Sequence, residues 1–314
     1  MNRKSDSLAP GTRLDHYIIE RSLSRGGFSI VYLARVDGLE KVVAIKEYFP
    51  RRIARRGENN EVLPATEDDT ERLNHGRKLF FKEAKTLSTL KHPTIVNVFN
   101  FFTTNNTVYM VMEYQPGENL ETYIKKYNGN LSEKFIRTIF PPLLEGLRVV
   151  HETGLMHLDI KPANVHLRPG GAPLLLDFGA VHKKMLSRQY KKNQVVSAGY
   201  SPIEQYEAKG YVGPWTDIYA LGATMRTCIE GCPPPPAAQR QGKDPMKPAI
   251  EAFKRKYSVQ LLSTIDWAME VHPLNRPQNV DEMLEALSEK HDPAESVGTT
   301  LKKFAGSLLP TFDK

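Results

Sequence analysis

Cysteine is nearly missing from this chain of 314 residues, and the absence excludes a class of folds. Only Cys228 and Cys232 occur, four apart in an apolar helical segment, so no disulfide framework can be built and two buried free thiols are expected. The nine histidines show no metal-ligand spacing. There is no apolar run of about 18 residues, so no segment is suited to cross a membrane as a helix. Met1-Asn2-Arg3-Lys4-Ser5-Asp6 carries charge with no apolar stretch behind it, which is not the pattern of a secretory leader. A cytoplasmic protein with no membrane partner is expected. Hydrophobic residues at 40% and charged residues at 25% are ordinary for a folded chain long enough for one large domain or two lobes.

Positive charge is in modest excess, 43 Lys and Arg against 36 Asp and Glu, for a net +7. It clusters at Arg51-Arg52-Ile53-Ala54-Arg55-Arg56 and from Lys183-Lys184 to Lys191-Lys192. Neither a zinc-finger spacing nor an aromatic RNA-binding signature accompanies the clusters, so solvated loops are expected and no nucleic-acid partner.

Two short stretches concentrate the polar chemistry. His157-Leu158-Asp159-Ile160-Lys161-Pro162-Ala163-Asn164 packs a carboxylate, a lysine and an amide into one turn, before the apolar Val165-His166-Leu167. Asp177-Phe178-Gly179 then follows the strand-like Leu174-Leu175-Leu176. Phosphoryl transfer uses this set: one Asp takes the proton of the attacking hydroxyl, an Asn and a second Asp hold Mg²⁺ on the phosphates, and a Lys offsets charge on the moving group. An Asx-rich turn with a capping Asp would account for the carboxylates and the amide. It leaves the lysine and the second motif unexplained.

Together the stretches resemble the catalytic loop H-R-D-x-K-P-x-N and the metal-binding D-F-G of the bacterial eukaryotic-like (Hanks-type) protein kinases, with Leu158 in place of arginine. The resemblance implies an α+β, bilobal protein-kinase-like fold. A small β-rich N-lobe would carry one long helix, and a larger C-lobe would be mainly α-helical. It places the kinase domain at 17–289 (N-lobe 17–114, C-lobe 117–289), leaving residues 1–16, polar in composition, as an expected flexible arm and 290–314 as a tail. Asp159 becomes the catalytic base and Lys161 the partner of the transferring phosphate, with Asn164 and Asp177 ligating Mg²⁺, or Mn²⁺ in its stead. Lysine two residues after that Asp is the mark of the Ser/Thr protein kinases, so ATP and a protein Ser or Thr hydroxyl are the implied substrates.

From the N-terminus, Tyr17–Leu23 and Ile30–Arg35 have the pattern of strands around the turn Ser24-Arg25-Gly26-Gly27-Phe28-Ser29. A glycine turn lets backbone N–H groups approach phosphate oxygens. Against the family's G-x-G-x-x-G-x-V, the chain keeps Gly26 and Val31 and puts Ser24 and Ser29 where glycines stand, with Gly27 beside them. If Ser24 needs a positive φ, strain of roughly 1 kcal/mol follows. Val43-Ala44-Ile45-Lys46 is a strand whose lysine the resemblance pairs with the α/β-phosphates. Residues 47–70, starting Glu47-Tyr48-Phe49-Pro50, form an irregular connection longer than in most kinases. A bacterial branch of the family has similar insertions. Apolar Leu79, Phe80, Ala84, Leu87 and Leu90 then repeat at helical spacing over about 71–90, stopped by Pro93. Glu83 on this helix is the implied partner of Lys46.

Two strands, near 96–102 and 108–113, lead to Met112-Glu113-Tyr114-Gln115-Pro116-Gly117, which resembles the adenine-binding hinge. Met112 would be the gatekeeper, Glu113 and Gln115 would line the nucleotide site with Ala44, and His166 would stack beneath the adenine ring. Ser132 begins a helix to His151, where Pro141-Pro142 predicts a break. Further helices are expected at 118–128, 215–231, 247–256, 258–270 and 280–289. Gly199-Tyr200-Ser201-Pro202-Ile203-Glu204-Gln205 resembles the end of an activation segment, and Glu204 is expected to be buried against Arg276. The segment before it carries His182, Lys183, Lys184, Arg188, Lys191 and Lys192.

The arginine that Leu158 replaces clamps an activation-loop phosphate in many relatives. A kinase of the non-RD type, independent of loop phosphorylation, is therefore expected, although Ser187 and Ser197 remain candidate autophosphorylation sites. Two other classes stay open. A pseudokinase scaffold would bind partners without transfer, a reading favoured by Ser24, Ser29, Leu158 and His166. A small-molecule kinase is disfavoured by Lys161 and the segment at 197–205.

Overall fold

The computed structural model describes residues 6–178, 196–207 and 210–288. Gly179, the basic residues from His182 to Lys192, Ser187 and the tail at 290–314 lie outside the described residues. The chain packs as two units, Met1–Tyr123 with Glu145–Ser197 and Ile124–Leu144 with Ala198–Lys314. This division differs from the lobes expected at 114–117. The second polar motif follows strands tied to the first unit, where Leu175 N–H bonds to Thr94 O at 2.8 Å.

In the first unit, strands β1 (Arg13–Leu14), β2 (Tyr17–Arg25), β3 (Ser29–Val36) and β4 (Val42–Tyr48) are joined by β7 (Val98–Thr104) and β8 (Thr107–Glu113). They form one six-stranded sheet in the order β1-β2-β3-β4-β8-β7. β4 is buried on both faces from Val43 to Tyr48, so it shows no polar–apolar alternation. Between β4 and β7 come a two-stranded hairpin, β5 (Ala54–Arg56) with β6 (Val62–Pro64), and helix α1 (Thr70–Thr89). The hairpin replaces the irregular connection expected there. α1 buries Leu73, Phe80, Ala84 and Leu87 along one stripe, as its periodicity requires.

Residues 6–16 are not a loose arm. Leu8 and Leu14 are buried, β1 pairs with β2, and Leu8 N–H bonds to Tyr32 Oη at 3.2 Å. Two apolar side chains and a strand edge hold a segment whose polar composition suggested freedom.

Short strand β9 (Glu118–Asn119) leads to α2 (Leu120–Lys126) and α3 (Glu133–Glu152), followed by β10 (Val165–Leu167) and β11 (Pro173–Leu175). The break expected at Pro141-Pro142 does not occur, and both prolines sit inside α3. An interior proline costs about 3 kcal/mol. Against that stands a stripe of Ile136, Ile139, Phe140, Leu143, Leu144, Leu147 and Val150, each at most 1% exposed and worth about 1.5–3 kcal/mol on burial. Ser132 caps the start as expected, its Oγ accepting Phe135 N–H at 3.2 Å.

The second unit contains α4 (Ile203–Tyr206), α5 (Pro214–Glu230), α6 (Ala249–Phe253), α7 (Val259–Ala268) and α8 (Val280–Leu287). α5 is buried from Thr216 to Ile229, which is why its sequence lacks a polar face. It ends at Gly231, whose left-handed φ of 84° lets its N–H return to Thr227 O. Cys228 is a buried free thiol as expected, but Cys232, past the end of α5, is exposed. Among the described residues no helix is long and apolar enough to cross a membrane.

Candidate active site

Lys46 enters the site from β4, in register with Val31 on β3 and Met110 on β8, and is 6% exposed. Its Nζ lies 2.7 Å from Asp177 Oδ1 and 3.7 Å from Glu83 Oε1. Burial alone would drive off its proton. Asp177 and Glu83 outweigh that and hold its pKa above the ordinary lysine value. α1 delivers Glu83 from its buried face, and the segment after β11 delivers Asp177.

Asp159 is the centre of a second set. Lys161 Nζ donates to both of its carboxylate oxygens, at 2.9 and 3.1 Å, and also to Ser197 Oγ at 2.9 Å. Ser197 Oγ donates to Asp159 Oδ1 at 2.7 Å. Asn164 Nδ2 donates to Asp159 O at 2.7 Å, closing the loop into a compact turn.

The two sets are fastened together by main chain. Leu176 N–H bonds to Asn164 O at 2.9 Å, and β10 pairs with β11, so Asn164 and Asp177 come to the same end of a short ladder. The fully buried His157 ring lies with Nε2 3.0 Å from Leu176 O and packs on Phe178 at 4.5 Å between centroids. A carbonyl can only accept, so Nε2 carries the proton and Nδ1 accepts Asp159 N–H at 3.3 Å. Leu158 and Asp177 both adopt left-handed backbone, φ 60° and 61°, which costs roughly 1–2 kcal/mol each. That strain is held at the two motifs by these bonds.

Asn164 and Asp177 offer an amide oxygen and a carboxylate, hard donors of the kind Mg²⁺ accepts when phosphate oxygens and water fill its remaining positions. With its nitrogen committed to Asp159, the Asn164 side chain presents oxygen as its remaining polar atom. The residues therefore fit the ion. Among the described residues no group of three or more His, Cys, Asp or Glu forms a separate metal site.

The proposed nucleotide residues lie on β2, β3, β4, β8 and β10 and in the stretches that follow β2 and β8. Ser24 lies in β2 opposite Val31 and just past a bulge, and its backbone is not left-handed, so the strain considered for it is absent. Gly26 N–H bonds to Ser29 O at 2.9 Å, closing the turn that also contains Gly27. Ala44 pairs with Met112, and Val43 with Glu113, across β4 and β8. His166 Nε2 lies 3.2 Å from Pro116 O, tying β10 to the hinge-like stretch. Gly117 is required beside it: at φ 140°, a Cβ would stand 2.1 Å from Leu167 O. Glu113 and Gln115 also line a pocket of about 380 Å³ with Leu90, His92, Ile95 and Leu174, on which neither Lys46 nor Asp159 opens.

Reading the sequence missed Ser197 as a partner of Asp159 and took it only for a phosphorylation candidate. Its place seven residues before Glu204 was the available signal. Glu204 itself is where expected, its oxygens 2.8 and 3.1 Å from the Arg276 guanidinium, with both residues buried.

A buried lysine bridging two acids, next to an Asp–Lys–Asn loop, defines a phosphotransferase of the protein kinase class. The protein kinase domain family matches residues 17–293, and the chain belongs to it, among the bacterial Hanks-type members. A probable serine/threonine-protein kinase of Clostridium perfringens is 30% identical over 89% of the chain and 39% of its own length. Serine/threonine-protein kinase D of Synechocystis is 29% identical over 87% of the chain and 52% of its own. The solved structure of PpkA-294 in its apo form superposes with a TM-score of 0.83 at 36% identity, covering 90% of this chain and all of that one. The protein thus has the kinase fold, with a β-sheet N-lobe and a helical C-lobe, and is a serine/threonine kinase domain. It spans about two fifths to one half of the length of these two curated relatives.

Proposed function

We propose that the chain transfers the γ-phosphoryl group of ATP to serine or threonine hydroxyls of a protein substrate. The observation that carries this reading is Lys46 held between Asp177 and Glu83, side chains drawn from three separate parts of the chain. In this reading Asp159 accepts the proton of the attacking hydroxyl and orients it, and Lys161 stands beside it to offset charge on the group in flight. Lys46 holds the α/β-phosphates, Asn164 and Asp177 hold Mg²⁺, and the turn at Ser24, Gly26, Gly27 and Ser29 covers the phosphates. Val31, Ala44, Met112, Glu113, Gln115 and His166 surround the adenine. Mg²⁺, when bound, neutralises charge on the β- and γ-phosphates.

The finer reading is that turnover does not wait for loop phosphorylation. Leu158 is buried and has no side-chain donor with which to hold a phosphate. A radiolabelled ATP assay on the wild type and Asp159→Asn, with a basic protein and free sugars as acceptors, tests both parts. Label should enter protein only, fall by several orders of magnitude in Asp159→Asn, and persist in Ser187→Ala and after phosphatase treatment. Equal labelling by wild type and Asp159→Asn would refute the transfer. Loss of turnover in Ser187→Ala would refute the independence.

A further inference from the structure

The segment between β4 and α1 touches the glycine turn, the strand that carries Lys46 and the helix that carries Glu83. At its start Phe49 N–H bonds to Phe28 O at 2.9 Å and Arg51 N–H to Gly27 O at 3.0 Å, so its main chain holds the glycine turn. In β5, Arg56 returns to Glu47, the neighbour of Lys46, with paired bonds of 2.6 and 2.7 Å. Glu47 is wholly buried, and its oxygens also accept from Tyr32 Oη and Tyr109 Oη at 2.7 and 2.8 Å. Arg56 further donates to Asp6 O and Asn60 O and lies over the Phe49 ring at 4.6 Å. In β6, Val62 N–H bonds to Asn105 O in the β7–β8 turn, while Val62 O accepts from Arg77 on α1, both at 2.8 Å.

Arg77 lies on the helix that carries Glu83. One residue before it, Gly76 leaves room for Tyr48, whose hydroxyl stands 1.8 Å from where a Cβ would be. Tyr48 and Lys46 alternate with Glu47 along β4, so they share the strand face that meets α1, and Glu47 shares the other with Arg56. The insertion therefore grips the lysine strand from behind, the helix at its Arg77 turn and the phosphate turn from its tip.

We propose that residues 49–66 are a brace that keeps Glu83 within reach of Lys46, with Arg56 and Arg77 as its positioning residues. The inference rests on the kinase reading for its effect on rate, and on geometry alone for its effect on α1. Its test is a cycle of Arg77→Met, Glu83→Gln and the double variant. Arg77→Met should lower kcat/KM for ATP about fivefold, the equivalent of one hydrogen bond, with Arg77→Lys recovering part. Added to Glu83→Gln it should cost nothing further, because both act on one contact. Losses that multiply in the double variant would overturn the brace and leave Arg77 a purely structural contact. Hydrogen exchange in α1 supplies a readout that needs no turnover, since amides from Arg77 to Leu87 should exchange faster in Arg77→Met. Faster exchange in a protein with no phosphoryl transfer would uphold the brace and sink the kinase reading. Unchanged exchange would overturn the brace whatever the activity.

Discussion

Removing the Ser197 hydroxyl is the sharpest test of the geometry around Asp159. Ser197 Oγ donates to Asp159 Oδ1 at 2.7 Å and accepts from Lys161 Nζ at 2.9 Å, so both bonds involve a charge. Such bonds are worth about 1.5–3 kcal/mol each. Lys161 and Asp159 also bond directly, at 2.9 and 3.1 Å, and that contact survives the substitution. A net loss of about 2 kcal/mol of transition-state positioning is the expected outcome for Ser197→Ala, about thirtyfold in kcat. Ser197→Thr keeps the hydroxyl and should stay within about threefold of the wild type. Ser197→Asp puts a second carboxylate against Asp159 and should fall below the alanine variant. Steady-state kinetics with saturating ATP and a basic protein acceptor give kcat, and a melting curve checks that the fold is intact. Full kcat in Ser197→Ala would refute the argument. Loss in Ser197→Ala with recovery in Ser197→Asp would instead make the residue a phosphorylation switch.

Two further perturbations probe the scaffold. Arg276 places all five of its N–H groups, on Glu204, Glu270 O, Val271 O and Trp215 O, so Glu204→Ala strands a buried guanidinium. It should lower unfolding free energy by about 3–5 kcal/mol in chemical denaturation, with Glu204→Leu plus Arg276→Met recovering part of the loss. Gly76→Ala forces a methyl against Tyr48, itself 2% exposed and unable to withdraw, and overpacking of this kind costs about 1–3 kcal/mol. Combined with Tyr48→Ala it should cost less than the two single losses added, since the shared clash is gone.

The candidate site was legible as a cluster because its residues sit in short, fixed-order strings of the types phosphoryl transfer uses. Asp159, Lys161 and Asn164 fall in one turn, and the structure closes them on one another as that turn requires. Glu83 was legible only through the family resemblance, since a glutamate on an amphipathic helix reads by itself as solvated, and the structure places its Oε1 3.7 Å from Lys46 Nζ. Glu47 was opaque. It follows Lys46 in a strand, so alternation assigns it to the opposite face, but nothing local says that Arg56 and two tyrosines wait there. Gly76 was equally silent, because a helical glycine shows its purpose only when Tyr48 is seen against it. The prolines of α3 misled because a local penalty was weighed without the apolar stripe that outbids it.

Leu158 stands where the family resemblance expects an arginine that clamps an activation-loop phosphate, and the structure shows which bonds hold the turn here. His157 bonds to Leu176 O, Leu176 N–H bonds to Asn164 O, and Ser197 bonds to Asp159, so the Asp159 turn is held to the Asp177 segment and to Ser197. Lys46 then joins Asp177 to the sheet and Glu83 to both. Each of these bonds is short-range and uncharged or internally neutralised, so none depends on an added anion. The proposal that turnover does not wait for loop phosphorylation requires this frame to do without a clamp of phosphate and arginine, with α1 held by the proposed brace. On that reasoning the long segment after Lys46 and the missing arginine before Asp159 are two parts of one arrangement. Restoring the arginine by Leu158→Arg should therefore leave the rate of the unphosphorylated enzyme unimproved.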